Sequence, residues 1–292
     1  MKVVVSGGAG FIGSHIVLRL LKDQSISAVW NIDKVTYAAN PATLKRLRQL
    51  ARLTKRGYAH VRKDICDPAA TRHAFRNADI VIHAAAESHV DRSINSATPF
   101  LQTNVMGTAA LLEAARREDV GTFLYVSTDE VLGPISGQNP LYEDAPLKPK
   151  NPYAATKAAG EHLVQAYANT YGLKTLITRS CNNYGEYQHP EKFVARAITN
   201  LIRGQPIPVY GNGEQRRQWI HVEDNAEAIA KTALQGSIRK IQHIGSTAAT
   251  SFIQNQTMAR LIVAAYRKNV RRIPPKLSRS PITHVEDRPG HD

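Results

Sequence analysis

The chain has 292 residues, of which 42% are hydrophobic, so it can bury one large core or two smaller ones. It contains no run of eighteen apolar residues, and its first residues lack the apolar stretch of a signal peptide. We therefore expect a cytoplasmic protein with no membrane attachment. The two cysteines, Cys66 and Cys181, have neither a disulfide framework nor a metal-ligand spacing, so we expect no metal site.

The formal net charge of +14 at pH 7 favours anionic partners, such as a phosphorylated sugar, a nucleic acid or a membrane surface. Basic residues are concentrated in the segments 45–56 and 260–279. Neither segment interleaves aromatic residues in the manner of a platform for stacking bases. Charge runs of this kind usually form solvated surface, so nucleic acid is the minor interpretation.

The N-terminus predicts a strand, a glycine-rich turn and a helix, because valines 3–5 precede the turn and apolar residues at helical spacing follow it. Gly7 allows the tight turn, Gly10 lets the backbone approach a pyrophosphate, and Gly13 lets the helix pack closely on the strand. The helix amide groups and dipole would then bind the phosphates. The next predicted strand, 28–32, ends at Asp33, whose carboxylate suits the ribose hydroxyls of NAD and repels a 2′-phosphate.

Strands and helices continue to alternate along the chain, which predicts a parallel, doubly wound sheet. A strand near 59–61 leads to a possible adenine contact at Asp64 and Ile65. After a helix at 68–75 and a strand at 80–83, the small residues Ala84, Ala85 and Ala86 allow close approach of a ligand to the backbone. The polar segment 87–93 follows, and a further helix is expected to open at Asn104.

The apolar run 122–126 predicts a buried strand that ends at Ser127-Thr128-Asp129-Glu130, where open α/β sheets place their ligand crevice. Tyr153 and Lys157 are four residues apart in a helix-forming segment, so their side chains share one face. A lysine ammonium beside a phenol favours the phenolate, so we expect Tyr153 to have a lowered pKa and to act as a base.

The rest of the chain predicts a helix up to residue 171, a strand at 174–178 and a change of character at 182–217. That segment has a helix at 193–203 and a turn-rich stretch at 204–213, and it is expected to cap a ligand rather than extend the sheet. Arg216 and Arg217 could clamp a diphosphate, although a solvated basic pair explains them as well. The chain then rejoins the sheet at 219–222, with a helix at 224–234, a strand at 241–244, helical spacing at 258–266 and a basic loop at 268–281.

Several motifs together resemble the extended short-chain dehydrogenase/reductase family, and within it the dTDP-glucose 4,6-dehydratases. They are the Gly7-x-x-Gly10-x-x-Gly13 turn, Tyr153-x-x-x-Lys157, and the strings at 31–37, 86–94, 127–130, 182–185, 187–192 and 287–292. The Thr-Asp-Glu string distinguishes these dehydratases from related 4-epimerases, which need no acid and base for a dehydration. The resemblance covers nearly the whole chain.

The resemblance implies a mechanism for a nucleotide-diphosphate sugar. Tyr153, next to Lys157, would take the proton of the sugar 4-hydroxyl while hydride passes from C4 to NAD. Glu130 would remove the C5 proton, Asp129 would protonate the departing C6 hydroxyl, and Thr128 would hold the 4-hydroxyl. Hydride would then return to C6, so that NAD is not consumed.

The resemblance also implies two sets of binding residues. The NAD set is Gly7, Gly10, Phe11, Ile12, Gly13, Asp33, Lys34, Asp64, Ile65, Ala84, Ala85, Ala86, Asn104, Ser127, Tyr153 and Lys157. The substrate set is Ser88, Asn183, Glu191, Lys192, Arg217 and Arg288. Relatives commonly pair through the helices that carry Tyr153 and Asn104, so a homodimer is expected.

The predicted fold is therefore α/β, with a Rossmann-type doubly wound parallel sheet and a smaller, discontinuous substrate-binding domain. We expect residues 1–178 and 218–247 to form the NAD-binding domain, and residues 179–217 and 248–292 to form a substrate-binding part that is short at its C-terminus. Two alternatives stay open. One is another nucleotide-sugar enzyme of the same family, an epimerase or a decarboxylase. The other is an inactive NAD-binding protein whose basic end contacts RNA.

Overall fold

The structure is a computed structural model that describes residues 1–134, 141–246, 252–270 and 281–287. It divides into two compact units. The first comprises Met1–Ser180 and Val222–Ile244, and the second comprises Cys181–His221 and Gly245–Asp292. Within the described ranges, no helix is long and apolar enough to cross a membrane.

The first unit is built on a sheet of seven strands. Its elements are β1 (Lys2–Ser6), α1 (Phe11–Leu21), β2 (Ala28–Ile32), α2 (Pro41–Thr54), β3 (Gly57–Val61), α3 (Pro68–Phe75), β4 (Ile80–His83), α4 (Val90–Asn95), α5 (Thr98–Phe100), a wider helical turn (Leu101–Met106), α6 (Gly107–Arg117), β5 (Thr122–Thr128), a short 3₁₀ helix (Asp129–Leu132), α7 (Pro152–Tyr171), β6 (Thr175–Ser180), and, further along the chain, α9 (Val222–Gln235) and β10 (Lys240–Ile244).

The strand order is β10-β6-β5-β4-β1-β2-β3, and every neighbouring pair is parallel. The chain moves outward from β1 through β2 to β3, then returns to place β4 on the other side of β1. Because the order reverses between β1 and β4, their carboxyl ends open the crevice in which doubly wound sheets bind ligands. The sheet confirms the predicted Rossmann-type fold.

Burial of the central strands explains their apolar sequences. Val3, Val4 and Val5 are completely buried, as expected for a strand that helices cover on both faces. Helix α1 packs against α2 and α9, whereas α6 packs against α3 and α7. The two groups of helices provide the covering layers.

The second unit has smaller sheets and its own core. Its elements are β7 (Asn182–Tyr184), α8 (Phe193–Ile202), β8 (Ile207–Tyr210), β9 (Arg216–His221), β11 (Phe252–Gln254), α10 (Asn255–Asn269) and β12 (Ile282–Val285). Strands β11, β9 and β7 form one sheet, and β12 pairs with β8. The core lies between α8, α10 and β8, where Ala197, Ile207, Val209 and Ala259 are completely buried.

Three details of the predicted elements were wrong. Asn104 does not open a helix, because helical backbone already begins at Thr98 and Asn104 lies inside the wider turn. Residues 219–221 do not rejoin the main sheet; as part of β9 they pair with β7, while residues 216–218 of the same strand pair with β11. The turn-rich stretch 204–213 contains a strand, β8, whose alternate residues Ile207 and Val209 face the core of the second unit.

Candidate active site

The turn between β1 and α1 forms a cradle of backbone amide groups. Gly7 has a φ of +79°, and a Cβ at this position would lie 2.6 Å from the backbone of the segment that follows β4. A Cβ on Gly13 would collide with the Gly7 carbonyl oxygen. Gly10 is the N-cap residue before Phe11 and Ile12 and supplies no side-chain cap. The first amide groups of α1 therefore keep their capacity to bind an anion.

The carboxyl ends of β1 and β4 are tied together beside this cradle. Ser6 Oγ lies 2.8 Å from His83 Nδ1, and His83 Nε2 lies 3.0 Å from Thr108 Oγ1. Ser6 Oγ also accepts a hydrogen bond of 3.3 Å from the central amide of the small-residue turn Ala84–Ala86. Burial, and then the Lys157 cation, hold the pKa of His83 well below its ordinary value. His83 is thus a neutral structural residue that fixes the floor of the crevice.

Asp33, which follows β2, is bonded to the glycine-rich turn. Its Oδ2 accepts a hydrogen bond from the Ala9 amide at 2.9 Å, and its Oδ1 accepts one from the Val35 amide at 2.7 Å. On the same strand, Asn31 Oδ1 accepts a hydrogen bond from the Gly8 amide at 2.9 Å. Each carboxylate oxygen has a further lone pair, so Asp33 keeps acceptor capacity for ribose hydroxyls while it fixes the turn.

The segment after β3 holds the predicted adenine contacts. Lys34 Nζ lies 3.4 Å from Asp64 Oδ2, and the Cys66 amide donates to Asp64 Oδ1 at 2.9 Å. Burial alone would raise the pKa of Asp64, but the Cys66 amide and the Lys34 cation outweigh burial and hold that pKa below its ordinary value. Ile65 is buried, and a Cβ added at Gly107 would press against its side chain. The segment is held in one conformation from both sides.

Helix α7 carries Tyr153 and Lys157, and its start is strongly determined. Asn151 Oδ1 accepts a hydrogen bond from the Ala154 amide at 2.8 Å, and Pro152 occupies the first helical turn. Both are typical of a helix N-terminus. The Tyr153 ring is almost buried and meets Phe100 edge to face, with the ring centroids 6.5 Å apart. The phenol is therefore held in a fixed position.

The pKa of Tyr153 is raised above its ordinary value. Burial is the main cause, followed by the carboxylates of Glu130 and Asp129, while the Thr128 side chain acts in the opposite direction. The prediction of a lowered pKa was wrong, because it counted the neighbouring lysine but not desolvation and the two nearby negative charges, which raise the pKa.

Lys157 is also buried, and burial has the opposite effect on a cation. Its Nζ donates a hydrogen bond of 2.7 Å to the Val126 carbonyl oxygen and lies 4.0 Å from the centre of the Tyr125 ring. Burial lowers the pKa of Lys157 to about 7, although the Glu161 carboxylate partly opposes this change. On the same strand, Ser127 Oγ is buried and has no hydrogen-bond partner among the described residues. A bound ligand could satisfy it.

The turn after β5 brings the remaining predicted catalytic residues to Tyr153. Thr128 Oγ1 accepts a hydrogen bond from the Glu130 amide at 3.3 Å and donates one to Asp129 Oδ1 at 3.2 Å. Asn151 Nδ2 donates to Glu130 Oε2 at 3.2 Å. The two adjacent carboxylates therefore have different partners. Such a difference is what an acid and a base working side by side require.

Asn104 connects three segments around the site. Its Oδ1 accepts a hydrogen bond from the Glu87 amide at 2.9 Å, and its Nδ2 donates to the Glu87 carbonyl oxygen at 3.0 Å and to Thr156 Oγ1 at 2.9 Å. Both Nδ2 hydrogens are thus used within the protein. Asn104 fixes α7 relative to the segment that contains Ser88, which is half-buried beside Glu87.

Sequence reasoning missed four residues that hold the site: Ser93, Asn151, Glu161 and Arg179. Ser93 Oγ accepts a hydrogen bond from the Tyr153 amide at 3.2 Å. Beneath the site, Arg179 and Glu161 form an ion pair with a shortest N–O distance of 2.8 Å and almost no exposure. The asparagine–proline pair before Tyr153 was a readable signal for the Asn151 cap. The Arg179–Glu161 pair joins β6 to α7 and has no local sequence signature.

In the second unit, the predicted substrate residue Asn183 lies beside Gln188, which was not in the predicted set. Asn183, on β7, donates from Nδ2 to the Cys181 carbonyl oxygen at 2.9 Å. Gln188 Nε2 donates to the Asn183 carbonyl oxygen at 2.7 Å. Asn183 Oδ1 and Gln188 Oε1 are buried and lack a partner within the described part of the chain. Two unsatisfied acceptors close together indicate a place for a ligand with hydrogen-bond donors.

The other predicted substrate residues are less localised. Glu191 and Lys192 immediately precede α8, and Arg217 lies on β9, where its Nη1 donates to the Arg216 carbonyl oxygen at 2.8 Å. Arg288 lies outside the described residues. In the described ranges, no group of three or more histidine, cysteine, aspartate and glutamate side chains is arranged to hold a metal ion.

Comparison with known proteins places the chain in a family. The profile of the NAD dependent epimerase/dehydratase family matches residues 3–245, and the chain belongs to this family. It is 42% identical over 297 residues to a dTDP-glucose 4,6-dehydratase of Streptomyces niveus, covering all of this chain and 83% of that protein.

Solved structures agree with this placement. A dTDP-glucose 4,6-dehydratase, DesIV of Streptomyces venezuelae with NAD and TYD bound, matches with a TM-score of 0.90 and 40% identity, over 100% of this chain and 86% of that one. A Thermus thermophilus UDP-glucose 4-epimerase in complex with NAD matches with a TM-score of 0.85 and 28% identity, over 99% and 88% of the two chains.

Proposed function

We propose that this protein is a lyase that converts dTDP-glucose to dTDP-4-keto-6-deoxyglucose with NAD as its cofactor. The observation that carries the proposal is the placement of Thr128, Asp129 and Glu130 at the carboxyl end of β5, where both carboxylates act on the pKa of Tyr153. Relatives at about 40% identity over the full chain are dehydratases for this sugar, which supports the choice of substrate.

The residues present fit NAD. The backbone at Gly7 and Gly13 has no room for a Cβ, the first turn of α1 has no acidic side chain, and Ser127 Oγ is an unsatisfied buried donor. The amide groups of the turn would hold the pyrophosphate, and Asp33 would hold the adenosine ribose. When bound, NAD accepts a hydride from C4 of the sugar and returns it to C6.

The protein's own groups would move the protons. Tyr153 would accept the proton of the 4-hydroxyl, with Thr128 holding that hydroxyl in place. Glu130 would then remove the C5 proton, which a ketone at C4 makes acidic, and Asp129 would give a proton to the C6 hydroxyl, which leaves as water. As the hydride returns to C6, C5 would take up a proton again, which completes the 4-keto-6-deoxy sugar. Lys157 would stabilise the Tyr153 phenolate as long as the lysine side chain is in its protonated, ammonium form.

We assign the two tasks of binding to the two units. The first unit would hold NAD and carry out the chemistry. The second unit would bind the nucleotide diphosphate through Asn183, Glu191, Lys192, Arg217 and Arg288. The unsatisfied acceptors of Asn183 and Gln188 support this assignment, because a pyrimidine base offers a ring N–H donor.

Epimerase and decarboxylase activities are the weaker alternatives. An epimerase has no use for an acid and a base at the C5–C6 bond, whereas this chain places two carboxylates beside the tyrosine. The RNA-binding alternative relied on the basic segment 260–279, of which residues 271–279 lie outside the described residues.

The proposal is tested by incubating the NAD-loaded protein with dTDP-glucose. We expect the alkali-induced ultraviolet absorbance of a 4-keto-6-deoxy sugar, together with incorporation of solvent deuterium at C5. Glu130→Gln should reduce both by about 10²–10⁴-fold, the usual contribution of a general base. Glu214→Gln, an exposed change of the same chemistry in the second unit, is the matched control and should have no effect. Absence of product from the folded, loaded parent protein would reject the proposed reaction.

A homodimer and a cytoplasmic location stay predictions. Leu101, Met106 and Tyr171 are 51%, 58% and 55% exposed, and they lie on the wider turn and on α7, the helical segments expected to pair. Apolar side chains exposed on such a surface favour a partner. Analytical ultracentrifugation of the parent protein and of Met106→Lys would test this, since a dimer formed through this surface should be weakened by the buried charge.

A further inference from the structure

A cavity of about 470 Å³ lies between the C-terminal half of α2 and the edge strand β3. None of the residues assigned to the cofactor or the substrate lines it. The lining includes four cationic side chains and two polar rings: Arg48, Arg52, Lys55, Arg56, Tyr58 and His60. No carboxylate is among the lining residues.

The four cations are not neutralised by the protein. Within the described ranges, none of them forms an ion pair with an aspartate or glutamate. Arg48 and Arg52 are four residues apart on α2, as are Arg52 and Arg56 along the chain, a spacing at which like charges repel. A favourable interaction with the C-terminal helix dipole explains one or two cations at this end of α2. It does not explain why they surround a cavity.

A second, independent observation is that two nitrogen atoms of the cavity lining lack hydrogen-bond partners. Arg56 Nε and His60 Nε2 are buried and have no hydrogen-bond partner among the described residues. A buried polar atom without a partner is costly, and native proteins leave few of them. A solvated basic helix face would not produce this pattern.

We propose that this cavity binds a small oligophosphate anion, such as inorganic tripolyphosphate or the triphosphate group of a nucleotide. Its volume is in the range of small-ligand sites. Guanidinium groups match phosphate oxygens in charge and geometry, and three of the four cations are arginines. Cationic side chains dominate this lining, which favours a small anion over a nucleic acid strand, because strand binding relies on several stacking aromatic side chains.

The site predicts a link between anion binding and the protonation of His60. Burial lowers the pKa of His60, the Asp33 carboxylate opposes this, and the cations Arg48 and Arg62 lower the pKa further. The Tyr58 phenol also lines the cavity; burial raises its pKa, and the Arg48 cation acts in the opposite direction. A phosphate anion would favour imidazolium, so it should raise the pKa of His60 and bind more tightly at low pH.

The test is a calorimetric titration of the NAD-saturated protein with tripolyphosphate at about 50 mM salt, where surface charges are weakly screened. Saturation with NAD keeps the amide cradle after β1 from binding phosphate. Arg48→Gln with Arg52→Gln should weaken binding at least about tenfold, because two charge-assisted contacts are lost. Lys174→Gln with Arg203→Gln removes the same charge from exposed positions and should weaken it less than about twofold.

Nuclear magnetic resonance titration of the histidines shows whether the anion binds beside His60. We expect the pKa of His60, assigned by the His60→Gln variant, to rise when tripolyphosphate is added, and the affinity to rise severalfold from about pH 8 to about pH 5.5. Equal affinities for ATP and tripolyphosphate would identify the phosphate chain as the ligand, and a tighter ATP complex would identify a nucleotide. An unchanged His60 resonance, equal losses in the two double variants, or binding of RNA without binding of tripolyphosphate would overturn the proposal. The readout is binding, so it is independent of the proposed dehydration.

Discussion

The buried ion pair between Arg179 on β6 and Glu161 on α7 offers the sharpest test of how the candidate site is held. Arg179 Nε lies 3.1 and 3.2 Å from the two carboxylate oxygens of Glu161, and Nη2 lies 2.8 Å from Oε2. The side chains are 2% and 0% exposed, and Arg179 Nη1 also donates to the Glu143 carbonyl oxygen at 3.0 Å. Glu161→Gln would keep the shape of this contact and remove its negative charge.

The expected loss of stability is large, because the arginine cation stays buried without its counter-charge. Breaking a buried pair in this way costs about 3–5 kcal/mol. For a chain of this size, that corresponds to a fall in melting temperature of roughly 10 °C. Urea unfolding followed by circular dichroism gives the free energy directly. Glu113→Gln removes an exposed carboxylate that pairs with Arg116 and Arg117, and should leave the midpoint nearly unchanged.

A second variant separates the cost of an unpaired charge from the cost of lost packing. Replacing Glu161 and Arg179 together by methionine removes both charges and keeps apolar bulk, so it should recover most of the stability that Glu161→Gln loses. A Glu161→Gln protein that is as stable as the parent would refute the reasoning. So would a double variant that is less stable than the single one.

Three further predictions concern the site itself. Tyr153→Phe should keep NAD binding and lower turnover by about 10²–10⁴-fold, measured by product formation in steady state. Gly13→Ala should abolish retention of NAD during gel filtration, because the added methyl group collides with the Gly7 carbonyl oxygen. The control variant Ala42→Gly changes an exposed residue and should retain NAD. The ¹³Cε resonance of Lys157 should titrate near pH 7 in nucleotide-free protein, with the ammonium form below and the amine above. Between pH 7 and the ordinary lysine pKa, the folded protein binds fewer protons at this group than the unfolded chain does, so Lys157 makes the stability of the protein increase with pH. A titration of Lys157 near pH 10.5 would contradict the burial argument.

The Rossmann-type sheet could be predicted because its signals are local. The strand–glycine–helix pattern near Gly7, the acid at Asp33 and the alternation of elements each depend on a few adjacent residues. The boundaries of α3 and the end of α7 at Tyr171 followed from a proline and a glycine in the sequence. Candidate catalytic groups could be named for the same reason, since each belongs to a short contiguous string.

The missed features depend on contacts between distant residues. The sequence of β9 resembles a further strand of the main sheet. In the structure β9 pairs with β7 and β11 of the second unit instead, and Ile220 lies opposite Asn183 of β7. Nothing near Glu161 in the sequence points to Arg179, eighteen residues away. The pKa of Tyr153 was predicted with the wrong sign because spacing shows which charges are close but not how deeply the phenol is buried.

Burial acts on Tyr153 and Lys157 in opposite directions, and this makes their charges interdependent. A low-dielectric site disfavours both the phenolate and the ammonium, so it raises one pKa and lowers the other. The carboxylates of Asp129 and Glu130 add to the cost of the phenolate. If Tyr153 is the base that we propose, its phenolate needs positive charge nearby, and Lys157 would supply that charge only in its protonated form. Glu161 favours the protonated lysine, and Arg179 holds Glu161 in position, so this ion pair helps to set the protonation state of Lys157.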